Sequence, residues 1–129
     1  MFIAIAGALA ALVHVYIFVI ESLRFVTPST MKAFGIRSRE EAEVMKPWAF
    51  NQGFYNLFLA VIAAVGVVVS LAGGANTTSD AVGRALVWAG VAPMLLASIV
   101  LVASDRSRLR PAAVQGVFPV LTIIALLVS

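Results

Sequence analysis

The chain has 129 residues, 62% of them hydrophobic and only 12% charged, with a formal net charge of +3 and no cysteine. A water-soluble domain of this size needs far less apolar surface, and the lack of cysteine excludes disulfides and thiolate metal sites. The basic residues cluster in loops without interleaved aromatics, which reads as a topology signal and sets nucleic-acid binding aside.

Four apolar runs reach or approach the roughly 18 to 20 residues that signal a membrane-spanning helix. They cover residues 2–25, 50–71, 83–103 and 112–128. Together they predict an all-α, integral membrane four-helix bundle. It forms one domain over residues 1–129, with short connections that favour up-down-up-down order. The first run starts Met1-Phe2-Ile3-Ala4, without the basic region of a secretory signal, and is too long for a signal core. It is expected to remain in the mature protein.

Along the chain, Thr27-Pro28-Ser29 is expected to stop the first helix, because proline restricts the residue before it. Ser38-Arg39-Glu40-Glu41 reads as a capping box that opens a short polar helix to about Lys46, with Pro47 beginning the second span. Ala72 to Asn76 forms a turn, and Asp80 is placed to cap the third helix. The last span is the shortest and carries Pro119, which predicts a kink or tilt.

Loop charge sets orientation. Arg24, Lys32, Arg37, Arg39 and Lys46 flank or occupy the first loop, Arg106, Arg108 and Arg110 the third, and only Arg84 lies on the opposite side. Short cytoplasmic loops collect Lys and Arg, so loops 26–49 and 104–111 are expected in the cytoplasm and both termini on the non-cytoplasmic side.

Within the first span, His14 and Glu21 are ionisable, and such groups inside a membrane are costly enough to be functional-site candidates by default. Their separation is close to two helical turns, about 10 Å along the axis, so they share a face. A helical wheel places Ile3, Gly7, Ala10, Ala11 and Phe18 in the same sector. In the second span Gln52, Asn56, Leu59, Ala63 and Ser70 share a face with Tyr55 beside it, and in the fourth Gln115, Pro119 and Thr122 do so. Glu21, Gln52, Asn56 and Gln115 lie at similar depth near the basic end, which predicts a cavity open to the cytoplasm with His14 near its floor. His14, Glu21, Gln52, Tyr55, Asn56 and Gln115 are therefore the candidate ligand-binding residues.

Structural readings of the same residues stand beside this one. His14 can fix packing through a neighbouring Asn or Tyr, Arg24 can neutralise Glu21 one turn on, and interhelical Asn and Gln are commonly glue worth about 0.6 kcal/mol each. Tyr55, Trp48 and Trp88 suit the aromatic belts at the membrane interfaces.

His14 with Glu21, then Thr27-Pro28, Phe34-Gly35 and Asn51-Gln52-Gly53-Phe54-Tyr55-Asn56-Leu57-Phe58-Leu59-Ala60, resembles the small bacterial membrane proteins known as domain of unknown function 1304. The likeness covers most of the chain and is strongest from His14 to Ala60. It implies a multi-pass protein with four spans in the bacterial inner (plasma) membrane, and brings no assigned activity or cofactor.

Three functions fit. The first is binding or transport of a small polar or amphipathic molecule. A bundle this thin would then favour a homo-oligomer, packed through patterns such as Ala60-xxx-Ala64 and Gly66-xxx-Ser70. The second is a membrane enzyme using His14 and Glu21 as acid and base on a lipid-like substrate. The third is an accessory subunit of a larger membrane complex. A metal site from His14 and Glu21 offers two ligands where three or four are usual, and haem through His14 has a single axial ligand.

Overall fold

The computed structural model describes all 129 residues. Helix α1 (Phe2–Phe18) runs on through a π turn, Val19–Leu23, and is followed by α2 (Pro28–Phe34), α3 (Arg39–Gly73) and α4 (Thr78–Ser104). A 3-10 turn, Arg106–Arg108, leads into α5 (Leu109–Val128). Four segments are long and apolar enough to cross a membrane: Phe2–Leu23, Arg39–Gly73, Thr78–Ser104 and Arg106–Val128. Only 26 of the 129 residues are buried, while Leu12, Val68, Leu96, Val100 and Leu127 are exposed. An apolar exterior of that extent suits lipid and not water.

The helices form a ring, α1 beside α3, α3 beside α4, α4 beside α5 and α5 beside α1, with α1 and α4 meeting only sparingly across the diagonal. Numbering runs in opposite directions along neighbouring helices. Gly66 faces Gly83 and Val87 while Ala63 faces Gly90, and Gly7 faces Val67 while Gly53 faces Ser22. Small side chains permit this. Ala10, Ala11, Ala60 and Ala63 surround the larger Val67, Val87, Val91 and Met94 in the central core. The Gly66-xxx-Ser70 pattern thus packs on α4 of the same chain, so it does not serve the contact between copies expected of it.

Several local expectations are corrected. The first helix ends at Leu23, before Thr27-Pro28-Ser29, in a π turn closed by the Arg24 amide on the Val19 carbonyl, 3.0 Å. Thr27 instead caps α2, with Pro28 in its first turn and a left-handed Gly35 ending it. The polar helix predicted to stop near Lys46 is the start of α3, which runs through Pro47 without interruption. Ala42, on that polar turn, packs with Phe25 and Ile36 in a second small core, which holds the turn in line with the rest of α3. Its 35 residues extend about 52 Å, well beyond a hydrocarbon core of about 30 Å.

Ser38 caps α3 as expected, accepting from the Glu41 amide at 3.1 Å. The reciprocal bond is shifted by one residue, from the Arg37 amide to Glu41 Oε2. Thr77, not Asp80, caps α4, accepting from the Asp80 amide at 3.1 Å. The Asp80 carboxylate accepts from the Ser70 hydroxyl instead, tying α4 to α3. At the same end Arg84 donates to the Leu126 and Ser129 carbonyls and so joins α4 to the end of α5, where carbonyls lack helical partners.

The α3–α4 contact leaves no room for one more carbon. A Cβ at Gly83 would fall against the Ser70 backbone nitrogen and lie 2.7 Å from the Gly66 carbonyl oxygen. At Gly116 the nearest atom is the Ser98 hydroxyl, at 2.5 Å, and a hydroxyl can rotate away. Gly83→Ala is expected to lower stability by about 1–3 kcal/mol, and Gly116→Ala by clearly less. Thermal unfolding in mild detergent measures both, and equal melting temperatures would contradict this packing.

Candidate functional site

His14 stands on the inner face of α1, one turn beyond the small residues Ala10 and Ala11, and is wholly buried. Its Nδ1 lies 2.9 Å from the Ala10 carbonyl oxygen. A carbonyl only accepts, so Nδ1 donates, and in the neutral ring Nε2 then presents a lone pair. Nε2 is the one buried side-chain polar atom in the chain with no hydrogen-bond partner. An unmet buried acceptor costs about 1–3 kcal/mol, which makes this atom an exception to the rule that buried polar groups are paired.

Two of the other buried polar groups of the bundle are satisfied within their own helices. Ser98 donates to the Leu95 carbonyl at 2.7 Å and Thr122 to the Phe118 carbonyl at 2.7 Å. Register fixes what lies level with His14. Gly7 faces Val67 and Thr122. Two turns further along α1, the antiparallel partners step back to the neighbourhood of Ala60 on α3 and Gln115 on α5, so Gln115 lies level with His14 and not, as expected, at the depth of Glu21. Gln115 itself is half-buried and makes no side-chain hydrogen bond to the protein.

Glu21 sits in the π turn, two turns from His14, and is half-buried. Its Oε2 accepts from Asn56 Nδ2 on α3 at 2.9 Å, and the same Nδ2 donates to the Gln52 carbonyl at 3.2 Å. This bond joins the two helices across the face the wheel anticipated. Arg24 makes no ion pair with Glu21, because the chain leaves helical geometry at Arg24 and the one-turn stacking is lost.

Two groups at this junction escape a reading based on titratable residues. The Ser22 hydroxyl donates to the Phe50 carbonyl at 2.8 Å, and a Cβ at Gly53 would fall against that same hydroxyl. Gly53 therefore allows α1 and α3 to close at the level where Glu21 meets Asn56. Phe54 adds an edge-to-face contact with Phe18, ring centroids 5.0 Å apart. The signal was present in the sequence as a glycine and an aromatic one turn or less before Asn56.

The remaining candidates are not brought to this junction. The side chains of Gln52 and Tyr55 are exposed on the outer side of α3, and Gln52 contributes only its carbonyl. The buried stripe of α3 is Gly53, Asn56, Ala60, Ala63 and Gly66, rotated by about one residue from the face expected through Gln52. A cavity of about 240 Å³ lies on the far side of the π turn, lined by Tyr16, Val19, Ile20, Arg24, Ser29, Thr30 and Ala33. No three His, Cys, Asp or Glu side chains come together as a metal cluster.

The family model described as a protein of unknown function (DUF1304) matches residues 8–127, and the chain belongs to that family. No match is found among curated proteins or among solved structures. The match includes His14, Glu21 and Asn56, as well as all four apolar helices for most of their length.

If the Glu21–Asn56 bond holds α1 to α3, a double-mutant cycle of Glu21→Ala and Asn56→Ala should return a coupling of about 0.6–1.7 kcal/mol. Unfolding in mixed micelles measures it. A coupling of zero would mean that the two side chains act independently.

Proposed function

We propose that this chain is a bacterial inner-membrane protein that binds, and in an oligomer transports, a small polar or amphipathic molecule inside its helix bundle. The observation that carries the reading is the unpartnered Nε2 of His14, an acceptor on a wholly buried side chain. A ligand with one O–H or N–H donor would meet it. The other buried side-chain polar atoms are already paired and Gln115 has no bond to give up, so such a ligand gains a hydrogen bond without breaking one.

In this reading the chain is one up-down-up-down domain over residues 1–129, with loops 26–49 and 104–111 in the cytoplasm and both termini outside. The charge asymmetry of the loops supports that orientation. Glu21 and Asn56 form the gate between the basic end of the bundle and His14, since their bond closes the α1–α3 seam one leaflet-depth position nearer the loops. The π turn favours such a role, since π turns within helices recur at functional sites. Gln115, level with His14 and free to donate or accept, serves as a second contact for the ligand. Tyr55 and Gln52, on the outer side of α3, contribute through a neighbouring copy or the lipid interface.

Native mass spectrometry of protein purified in mild detergent tests the reading. A discrete added mass is expected on the wild type, lost in His14→Leu and kept in Val68→Leu, an exposed position on the apolar exterior, with both variants folded by circular dichroism. A bare subunit mass in all three would overturn it. A stoichiometric protein partner in place of a small ligand would support the accessory-subunit reading instead.

A further inference from the structure

A groove of about 380 Å³ opens on the outer side of the bundle between α4 and α5. Its walls are almost wholly apolar, with Leu95, Ile99 and Val102 on α4 and Leu109, Ala113 and Val117 on α5. It follows α5 from Leu109 to Leu121. That stretch is about 18 Å of helix, close to the roughly 15 Å depth of one leaflet's hydrocarbon. The groove therefore has the length of one acyl chain and begins at the basic turn.

Charge at that end is not self-neutralised. Asp105 pairs with Arg108 at 3.3 Å. The Ser107 hydroxyl and backbone N–H, and then Arg108, hold the Asp105 carboxyl below the usual carboxylate range, so it stays ionised at neutral pH. Arg106 and Arg110 have no carboxylate partner. Arg110 directly follows Leu109, the residue that lines the groove at its basic end, and Arg106 precedes it by three residues.

We infer that this groove is a binding site for an anionic phospholipid, with one acyl chain along α4 and α5 and the headgroup phosphate held by Arg106 and Arg110. Basic clusters between helices at one membrane face are suited to anionic headgroups, and guanidinium groups match phosphate oxygens in geometry. A second copy of the chain is the less suitable occupant. A two-fold contact here would set the same basic turn against itself.

The test titrates the purified, detergent-solubilised protein with phosphatidylglycerol and, separately, phosphatidylcholine of identical chains, reading retained lipid by native mass spectrometry. Phosphatidylglycerol should be retained about ten- to thirty-fold more strongly. Arg106→Gln with Arg110→Gln should abolish that preference, whereas Arg37→Gln with Arg39→Gln, the same charge removed from the other loop, should leave it. Ala113→Phe fills the groove from an exposed position and should weaken both lipids; Val117→Phe, on the same wall, repeats the test should the first variant unfold. Equal retention of the two lipids, equal losses in the two arginine pairs, or indifference to both groove fillers would overturn the proposal. So would a dimer mass that Ala113→Phe abolishes, which would assign the groove to a second copy.

Discussion

The approach of α3 to α4 at Gly66 and Gly83 sets the dimensions of everything else in this protein. Each glycine lies so close to the facing backbone that a single methyl would displace a helix. Lipid tails are as apolar as leucine, so helices in a bilayer gain little from burying hydrophobic side chains and associate through close packing and hydrogen bonds instead. The narrow α3–α4 seam draws the ring tight around Val87, Val91 and Met94. Within that ring His14 is wholly shielded from the exterior.

Polar groups in such a bundle are resolved in one of three ways. Ser98 and Thr122 satisfy themselves on the preceding turn of their own helices. Glu21 and Asn56 satisfy each other across a seam, and Arg84 and Asp80 do the corresponding work at the opposite end, with Ser129 and Ser70. His14 is satisfied on one nitrogen only. The contrast gives the functional reading its weight, because a chain that pairs its other buried side-chain polar groups leaves one buried acceptor unpaired.

The residues Asn51 to Ala60 show how a run that reads as one motif divides in three dimensions. Gly53, Phe54 and Asn56 meet α1, respectively by close approach, ring contact and hydrogen bonding. Asn51, Gln52 and Tyr55 turn outward. The face drawn through Gln52 and Asn56 is divided, with Asn56 buried in the seam and Gln52 exposed. The two residues lie on one side of α3, but the seam with α1 is narrow and centred on Gly53.

Hydropathy and loop composition by themselves determined the four membrane-crossing helices, their single-chain arrangement as an all-α protein, and the inward face of α1 through Gly7, Ala10, Ala11 and His14. Those features follow from long apolar runs and from small residues at helical spacing, both local properties of the chain. The Ser38 cap was legible for the same reason. The π turn at Val19–Leu23, the unbroken passage of α3 through Pro47 and the capping of α4 by Thr77 were decided only in the folded state. So were the Glu21–Asn56 bond and the solitary Nε2 of His14. Each of these depends on which backbone or side chain a second segment presents at a given depth. That choice belongs to the packing of helices against one another, and no periodicity within a single helix contains it.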